Sequence, residues 1–556
     1  MSAAEIPKST NILVIGGGPA GSYAAAALAR EGFEVTLLER EHFPRYHIGE
    51  SMLPSCRPFM RFIGAEQKVI DYGFCVKVGA ALKFNQTKRE GYSDFINPDP
   101  NKAAWNVVRM IILLVKHRLM PLDKVRAEFD EILLRNASEN DVRVCEGVSV
   151  NTINFSTKND KQPVSAEWKS DTGATGEIKF KWLVDASGRN GIMSTKYLKN
   201  RKFNTALRSV AFWGYWTGAG MYAPGTSREN ATWLEALTDE SGWSWFIPLH
   251  GGRVSVGIVL KEESSRAKKA SLSGPDINAQ HYHNQLKLVP GVMKLLAGAT
   301  FLGEVKSAGD YSYSATGYAG PNYRIAGDAG AFVSITFMSV DGVLKHEQID
   351  PFFSSGVHLA FSSGLSAASS IAASIRGQCS EAEAIKFHTD KTGTSYTRQD
   401  GPKLVLSAYR QITSQSVPVL SDIEEDNFDR AFEFIRPIIQ GAADTDPTVT
   451  EEMLQATMDF CEHALGLTDP EMHEAVASRI DPQLMAEDGP ILGPKDVAAI
   501  AGGDEETEAV LRRINSRKAV ESLVDWQPNF RGESFNGLSI FLERGNLGLR
   551  RTPVVA

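Results

Sequence analysis

A chain of 556 residues, 42% hydrophobic and 23% charged, has the composition of an ordinary globular protein with room for two or three domains and a large core. Its formal net charge of −8 gives no electrostatic drive toward nucleic acid or an anionic membrane. The five cysteines (Cys56, Cys75, Cys145, Cys379 and Cys461) are odd in number and form no CxxC pair, which argues against a disulfide framework and against a structural zinc site.

The N-terminal segment runs straight into an apolar strand, with no basic region followed by an apolar stretch and cleavage site. The apolar run MIILLV at 110–115 is far shorter than the roughly 20 residues that span a bilayer. A reducing cytoplasm is the expected location, with no membrane and no nucleic acid as partner. Asn11 to Ile15 reads as a strand, Gly16 to Gly18 as a turn, alanine-rich Ser22 to Arg30 as a helix, and Glu34 to Leu38 as a second strand. In this βαβ unit, Gly16, Gly17, Gly18, Ala20 and Gly21 form a GxGxxG turn. Its backbone can approach a pyrophosphate at a helix N-terminus. Glu39, at the end of the second strand, is placed to accept hydrogen bonds from a ribose diol, so the unit predicts dinucleotide binding.

Further along, Val125, Phe129, Ile132 and Leu133 share one helical face. Residues 207–260 alternate aromatic and β-branched side chains, which predicts a sheet. Residues 323–332 read as strand and turn, and 357–376 as a helix. Beyond about 400 the pattern is mostly helical. Two strand ends carry an aspartate followed by small residues, Asp185-Ala186-Ser187-Gly188 and Gly327-Asp328-Ala329-Gly330. Each aspartate could reach ribityl hydroxyls or their waters. In this order, after GxGxxG, they resemble the flavoprotein monooxygenase superfamily and suggest FAD.

The segment Trp243-Ser244-Trp245-Phe246-Ile247-Pro248 is similar to the WxWxIP signature of flavin-dependent halogenases. Phe43 to Ser51 (FPRYHIGES) and Asp350 to His358 (DPFFSSGVH) resemble two further stretches of that family. The resemblance spans roughly residues 10–375 and is closest to the fungal branch that acts on phenolic polyketides. It implies an α/β fold: an FAD-binding Rossmann-type module from 1–200 and 320–376, a substrate-side β-sheet over 201–319, and a helical C-terminal region over 377–556. It also implies FAD contacts at Arg45, Glu50, Arg126, Asp328 and Val357, and a chloride site at Ser355 and Gly356.

In the family, reduced FAD supplied by a separate flavin reductase reacts with oxygen to form a hydroperoxide, and chloride is converted to hypochlorous acid. A lysine then holds or activates the chlorinating species before attack on the ring. Trp243 and Trp245 match the partition between flavin and substrate. Lys77 or Lys83 is the candidate lysine, with Lys77 favoured by its spacing to Gly79-Ala80. Burial would lower the pKa of such a lysine. The tryptophan-halogenating branch has a glutamate two residues before the counterpart of Ser355, where this chain has Phe353. Together with the fungal resemblance, this favours a phenol over an indole and leaves no base there. His47 and His358 are further candidates for that base on composition alone. A flavin aromatic hydroxylase is the enzymatic alternative.

Two segments interrupt the resemblance. Val333 to Gln348 separates GDAGAF from DPFFSSG, and about 109–126 separates AWNVV from the following helix. Val-Ser, Arg-Met and Gln codons can contain splice donor and acceptor sequences, so both segments read as translated introns. In that case the chain as written would be a non-catalytic product. Trp526, Phe530 and Phe535 are aromatic enough to line a pocket, although core packing suits them better.

Overall fold

The computed structural model describes residues 6–47, 49–83, 86, 90–95, 104–107, 127–203, 209–310, 313–332, 355–398, 475–485, 492, 494–518 and 534–552. Arg126, Phe353, Trp526, Phe530 and both interrupting segments lie outside the described residues. The four described cysteines form no disulfide among the described residues. Among the described residues no helix is long and apolar enough to cross a membrane.

Five parallel strands form the centre of the first sheet, in the order Tyr323–Ile325, Thr175–Asp185, Ser9–Ile15, Val35–Leu38 and Arg143–Cys145. Ile12, Leu13, Val14, Leu37, Leu183 and Val184 have no exposed surface, as expected for strands covered on both faces. The register aligns Ile15 with both Leu38 and Asp185, and Asp185 with Ile325. The loops that follow these strands therefore emerge along one sheet edge, where open α/β sheets bind ligands. Helix Pro19–Ala29 crosses helix Gly356–Arg376 closely: a Cβ on Gly364 would lie 2.8 Å from the Ala20 carbonyl oxygen.

The second sheet runs Thr300–Phe301, Ser209–Thr217, Arg253–Lys261, Gly242–Leu249, Thr232–Ala236, Gly79–Lys83 and Gly91–Asp94. Strand Gly79–Lys83 joins it in parallel with Thr232–Ala236, so a segment between the early strands of the first sheet contributes to the second. The period of two sorts its side chains. Phe212, Trp233, Phe246 and Ile258 pack with Tyr282, Leu286 and Val292 of two covering helices. Trp213, Leu234, Trp243, Trp245, Ile247 and Val259 face a cavity toward the first sheet.

A two-stranded ladder, Cys75–Lys77 with Ala104–Asn106, is joined to the second sheet through one residue. Asn106 opposes Ser51 in an isolated bridge, and its side-chain amide donates to the Pro248 carbonyl at 2.9 Å. The C-terminal region contains helices Glu381–Arg398, Pro494–Ala501 and Glu505–Lys518. It also holds a three-stranded antiparallel sheet within 534–551, where the mostly helical pattern predicts none. Asn536 and Gly537, both at positive φ, form the turn of its first hairpin. Phe535 packs edge-on against Phe387 at 5.8 Å and joins a core cluster.

Candidate functional site

One cavity of about 820 Å³ joins the aligned strand ends of the first sheet to the inner face of the second. At the first end, Gly16 has φ +103°, and a Cβ there would lie 2.2 Å from the Ala186 carbonyl oxygen. A Cβ on Gly21 would lie 1.9 Å from the Gly16 oxygen. Only glycines let the turn and the helix approach this closely. Pro19 occupies the first helical turn with Gly18 before it, so the helix N-terminus opens on the cavity. The Gly17 N–H donates to Glu39 Oε2 at 2.5 Å and the Glu41 N–H to Oε1 at 2.9 Å, which fixes the carboxylate at the cavity wall. Arg45 lines the same wall. It lies over the Phe43 ring at 4.8 Å and 3.6 Å from buried Asp130.

The two aspartate turns behave differently. Asp328 lines the cavity, and its carbonyl accepts from the Tyr313 hydroxyl at 2.6 Å. Asp185 is fully buried; it accepts from the Ser187 N–H and hydroxyl and from the Met193 N–H, at 3.1, 2.6 and 2.8 Å. Burial pushes its carboxyl pKa up. Asp185 is thus committed to shaping its own loop, and Ala186, Ser187 and Gly188 present that loop to the cavity. This corrects the expectation that its carboxylate reaches a ligand.

Helix Gly356–Arg376 starts at the cavity, with Gly356 and Val357 lining it and Ser355 buried at the N-cap. Among the described residues, a Cβ on Gly356 would meet no atom within 4 Å. The N–H groups and positive dipole at the start of this 21-residue helix suit a small anion. His358 is fully buried and meets Ser55 Oγ at 2.9 Å, away from the lining; His47 is part of the lining.

At the other end, Trp243 and Trp245 line the wall with ring centroids 5.9 Å apart, and Trp213 lies 6.4 Å from Trp245. The Trp245 indole donates to Ser255 Oγ at 3.1 Å. Lys77 is 3% exposed and lines the cavity. Its amine donates to the Met52 carbonyl at 3.3 Å and lies 5.0 Å from the Phe95 ring centroid. Burial lowers its pKa to about 7. Lys83 is elsewhere. Ala80 and Leu82 of its strand line the cavity, and Lys83, outside that lining, follows on the alternate face.

A model of the tryptophan halogenase family matches residues 11–104 and 122–300. The chain is 54% identical to the flavin-dependent halogenase armH1 of Armillaria mellea over 555 residues, covering 99% of each. It is 52% identical to armH3 of the same organism over 554 residues, covering 98% of this chain and 99% of that one. This chain belongs to the flavin-dependent halogenases. The crystal structure of the flavin-dependent halogenase CmlS superposes with a TM-score of 0.62 over 77% of this chain and 72% of that one; at 24% identity this is a likeness of fold.

The halogenase is therefore an FAD-dependent oxidoreductase with chloride as its halide substrate. Enzymes of the family act on aromatic substrates and require a flavin reductase. The cavity suits FAD: Gly16 and Gly21 let the turn close tightly on the start of the helix, the Glu39 carboxylate would be available to a ribose diol, and Arg45 adds a cation near Gly18. Among the described residues no cluster of three His, Cys, Asp or Glu side chains could hold a metal.

Several lining residues escaped the sequence reading: Tyr46, Trp213 and Phe95. Trp213 could have been found from its alternation with Ala211 in the strand AFWGYW, which puts both on the face that carries Trp245. Asn106 had no local signal, because its role depends on three segments meeting.

Proposed function

We propose that this halogenase chlorinates an electron-rich phenolic aromatic of polyketide type, with hypochlorous acid delivered to Lys77. The observation that carries the reading is the placement of Lys77. It is a buried amine at the apolar end of the cavity, with its pKa lowered to about 7. Near neutral pH it exists in both forms, so it can take up chlorine as a neutral amine or donate a hydrogen bond as an ammonium.

Reduced FAD with oxygen supplies the oxidising equivalent that converts chloride to hypochlorous acid. The protein's part is placement. Gly16, Gly17, Gly18, Ala20 and Gly21 with Glu39 hold the dinucleotide, and Asp328 and Val357 flank it. The backbone at Ser355 and Gly356 offers chloride N–H donors without a competing negative charge. Trp243 and Trp245 stand side by side on the cavity wall, where they would hold the ring back from the cofactor while a small oxidant passes to Lys77.

The test is reconstitution with FAD, NADH, a flavin reductase, oxygen and chloride on resorcinol-type phenols, followed by mass spectrometry. A product with the chlorine isotope pattern that requires chloride supports the reading. A product carrying only an added hydroxyl would instead assign the enzyme to aromatic hydroxylation.

A further inference from the structure

The cavity wall near the tryptophans contains a buried acid that delivery of hypochlorous acid does not use. Glu50, which the family resemblance implies as an FAD contact, is 3% exposed and lines the cavity on the side of Trp213 and Tyr215. The Tyr215 hydroxyl donates to Glu50 Oε1 at 2.5 Å, Tyr46 hydrogen-bonds Tyr215, and the Trp213 indole donates to the Tyr46 hydroxyl at 3.1 Å. Tyr215 and Trp213 belong to the second sheet, so this cluster sits on the wall that carries Trp245. Burial and the neighbouring Glu50 charge both push the Tyr46 and Tyr215 pKa values up, which keeps the two hydroxyls protonated as donors.

Glu50 is also tied to Lys77 through the backbone. The Val107 N–H donates to the Glu50 carbonyl at 2.7 Å and the Met52 N–H to the Trp105 carbonyl at 3.1 Å. The Met52 carbonyl in turn accepts from Lys77. Acid and amine therefore share one short frame against strand Ala104–Asn106. Glu50 stands on the wall of the cavity, where a substrate hydroxyl could meet its carboxylate.

We infer that the Glu50 carboxylate, oriented by Tyr215, accepts the proton of the substrate's phenolic hydroxyl as the ring attacks chlorine. This rests on the phenol reading above. The O–H bond breaks, its proton moves to Glu50, and the electron pair stays on oxygen and feeds the ring. A ring carbon then bonds to the chlorine of hypochlorous acid, and the O–Cl pair leaves as hydroxide. Hydroxide takes the proton from Glu50 to give water. The ring C–H proton finally transfers to the oxygen, which restores the aromatic chlorophenol and leaves Glu50 as a carboxylate. In this role Glu50 is a catalytic residue and Tyr215 a positioning residue. The glutamate that Phe353 replaces is then not needed at that position.

The experiment compares resorcinol with 2,6-difluorophenol, whose hydroxyl ionises near neutrality, in wild type and Glu50→Gln at fixed pH. The variant should lose about 100-fold in kcat on resorcinol, the scale of a general base, and less than about 5-fold on the more acidic phenol. Equal losses on both phenols overturn the proposal. So does loss of FAD binding by a variant that keeps the wild-type circular dichroism, because the carboxylate then serves the cofactor. If Glu50→Gln does not fold, Tyr215→Phe carries the same test, with the larger loss again expected on resorcinol. Wild type should chlorinate resorcinol far faster than its dimethyl ether. Equal rates there would remove the phenol reading itself, whichever way the variant behaves.

Discussion

Replacing Lys77 with methionine should stabilise the protein while removing chlorination. The amine is buried and hydrogen-bonds the Met52 carbonyl, and burial lowers its pKa from 10.5 to about 7. In the unfolded chain the amine titrates near its ordinary value. Between about pH 7 and 10.5 the unfolded chain then binds more protons than the folded one, so wild-type stability rises with pH across that window. The cost of burying the amine is therefore largest below pH 7 and fades toward 10.5. At about 1.36 kcal/mol per pKa unit it is about 4–5 kcal/mol at pH 6.5 and about 2 kcal/mol at pH 9. Methionine has a similar unbranched length and adapts to the same space. Paired denaturant melts should show Lys77→Met ahead of wild type at pH 6.5, with the advantage smaller by about 2–3 kcal/mol at pH 9. Chlorination of the best phenol should fall at least about 100-fold, as for loss of a general acid–base or covalent group. An advantage independent of pH, or a less stable variant, would refute the burial argument. Retained chlorination would refute the role of the amine.

Gly16→Ala should abolish FAD binding in a flavin titration, because its Cβ would fall 2.2 Å from the Ala186 oxygen at a positive φ. Asn106→Ala should lower stability by about 1–3 kcal/mol by leaving the Pro248 carbonyl without its amide donor. It should also cut kcat more than FAD affinity, as read from turnover against flavin titration, because the tie runs between the tryptophan strand and the Lys77 ladder. A cDNA of this gene is expected to lack the codons for 333–348 and about 109–126; a transcript that retains both would end the intron reading. On that reading a chain lacking both segments should chlorinate faster than the full chain, and equal rates would show that the segments do not disable the site.

The glycine-turn end of the cavity was legible because its determinants are local. Gly16 to Gly21 and Glu39 lie on one βαβ unit, and the parallel register of Ile15 with Leu38 brings them to the same edge. The tryptophan wall was legible for a related reason: Trp243 and Trp245 are two residues apart on one strand, so one face follows from the period of two. That period also separates the two candidate lysines once Ala80 and Leu82 are known to face inward. It could not do so from the sequence, because nothing in VKVGAALKF says which face of the strand is covered. Asp185 and Asp328 read alike for a similar reason. Each follows a parallel strand and precedes small residues, but Asp185 has Ser187 and the Met193 N–H positioned to occupy its carboxylate.

What the sequence could not convey is the connection between the two ends. Glu50, Met52, Lys77, Asn106 and Pro248 come from four separate stretches. They meet only because strand Ala104–Asn106 pairs with Cys75–Lys77 on one edge and contacts residues 50–52 on the other. Pairing of this kind has no signature in a single chain, since backbone hydrogen bonds carry no residue preference strong enough to read. Yet it sets how far Lys77 stands from the tryptophans and from Glu50. A small oxidant that crosses the cavity must meet the amine and the ring in fixed positions, and misplacement by about 1 Å can cost about 100-fold in rate. The alignment of amine, acid and aromatic wall therefore depends as much on the Asn106 tie as on the motifs themselves, and the Asn106→Ala comparison measures that dependence directly.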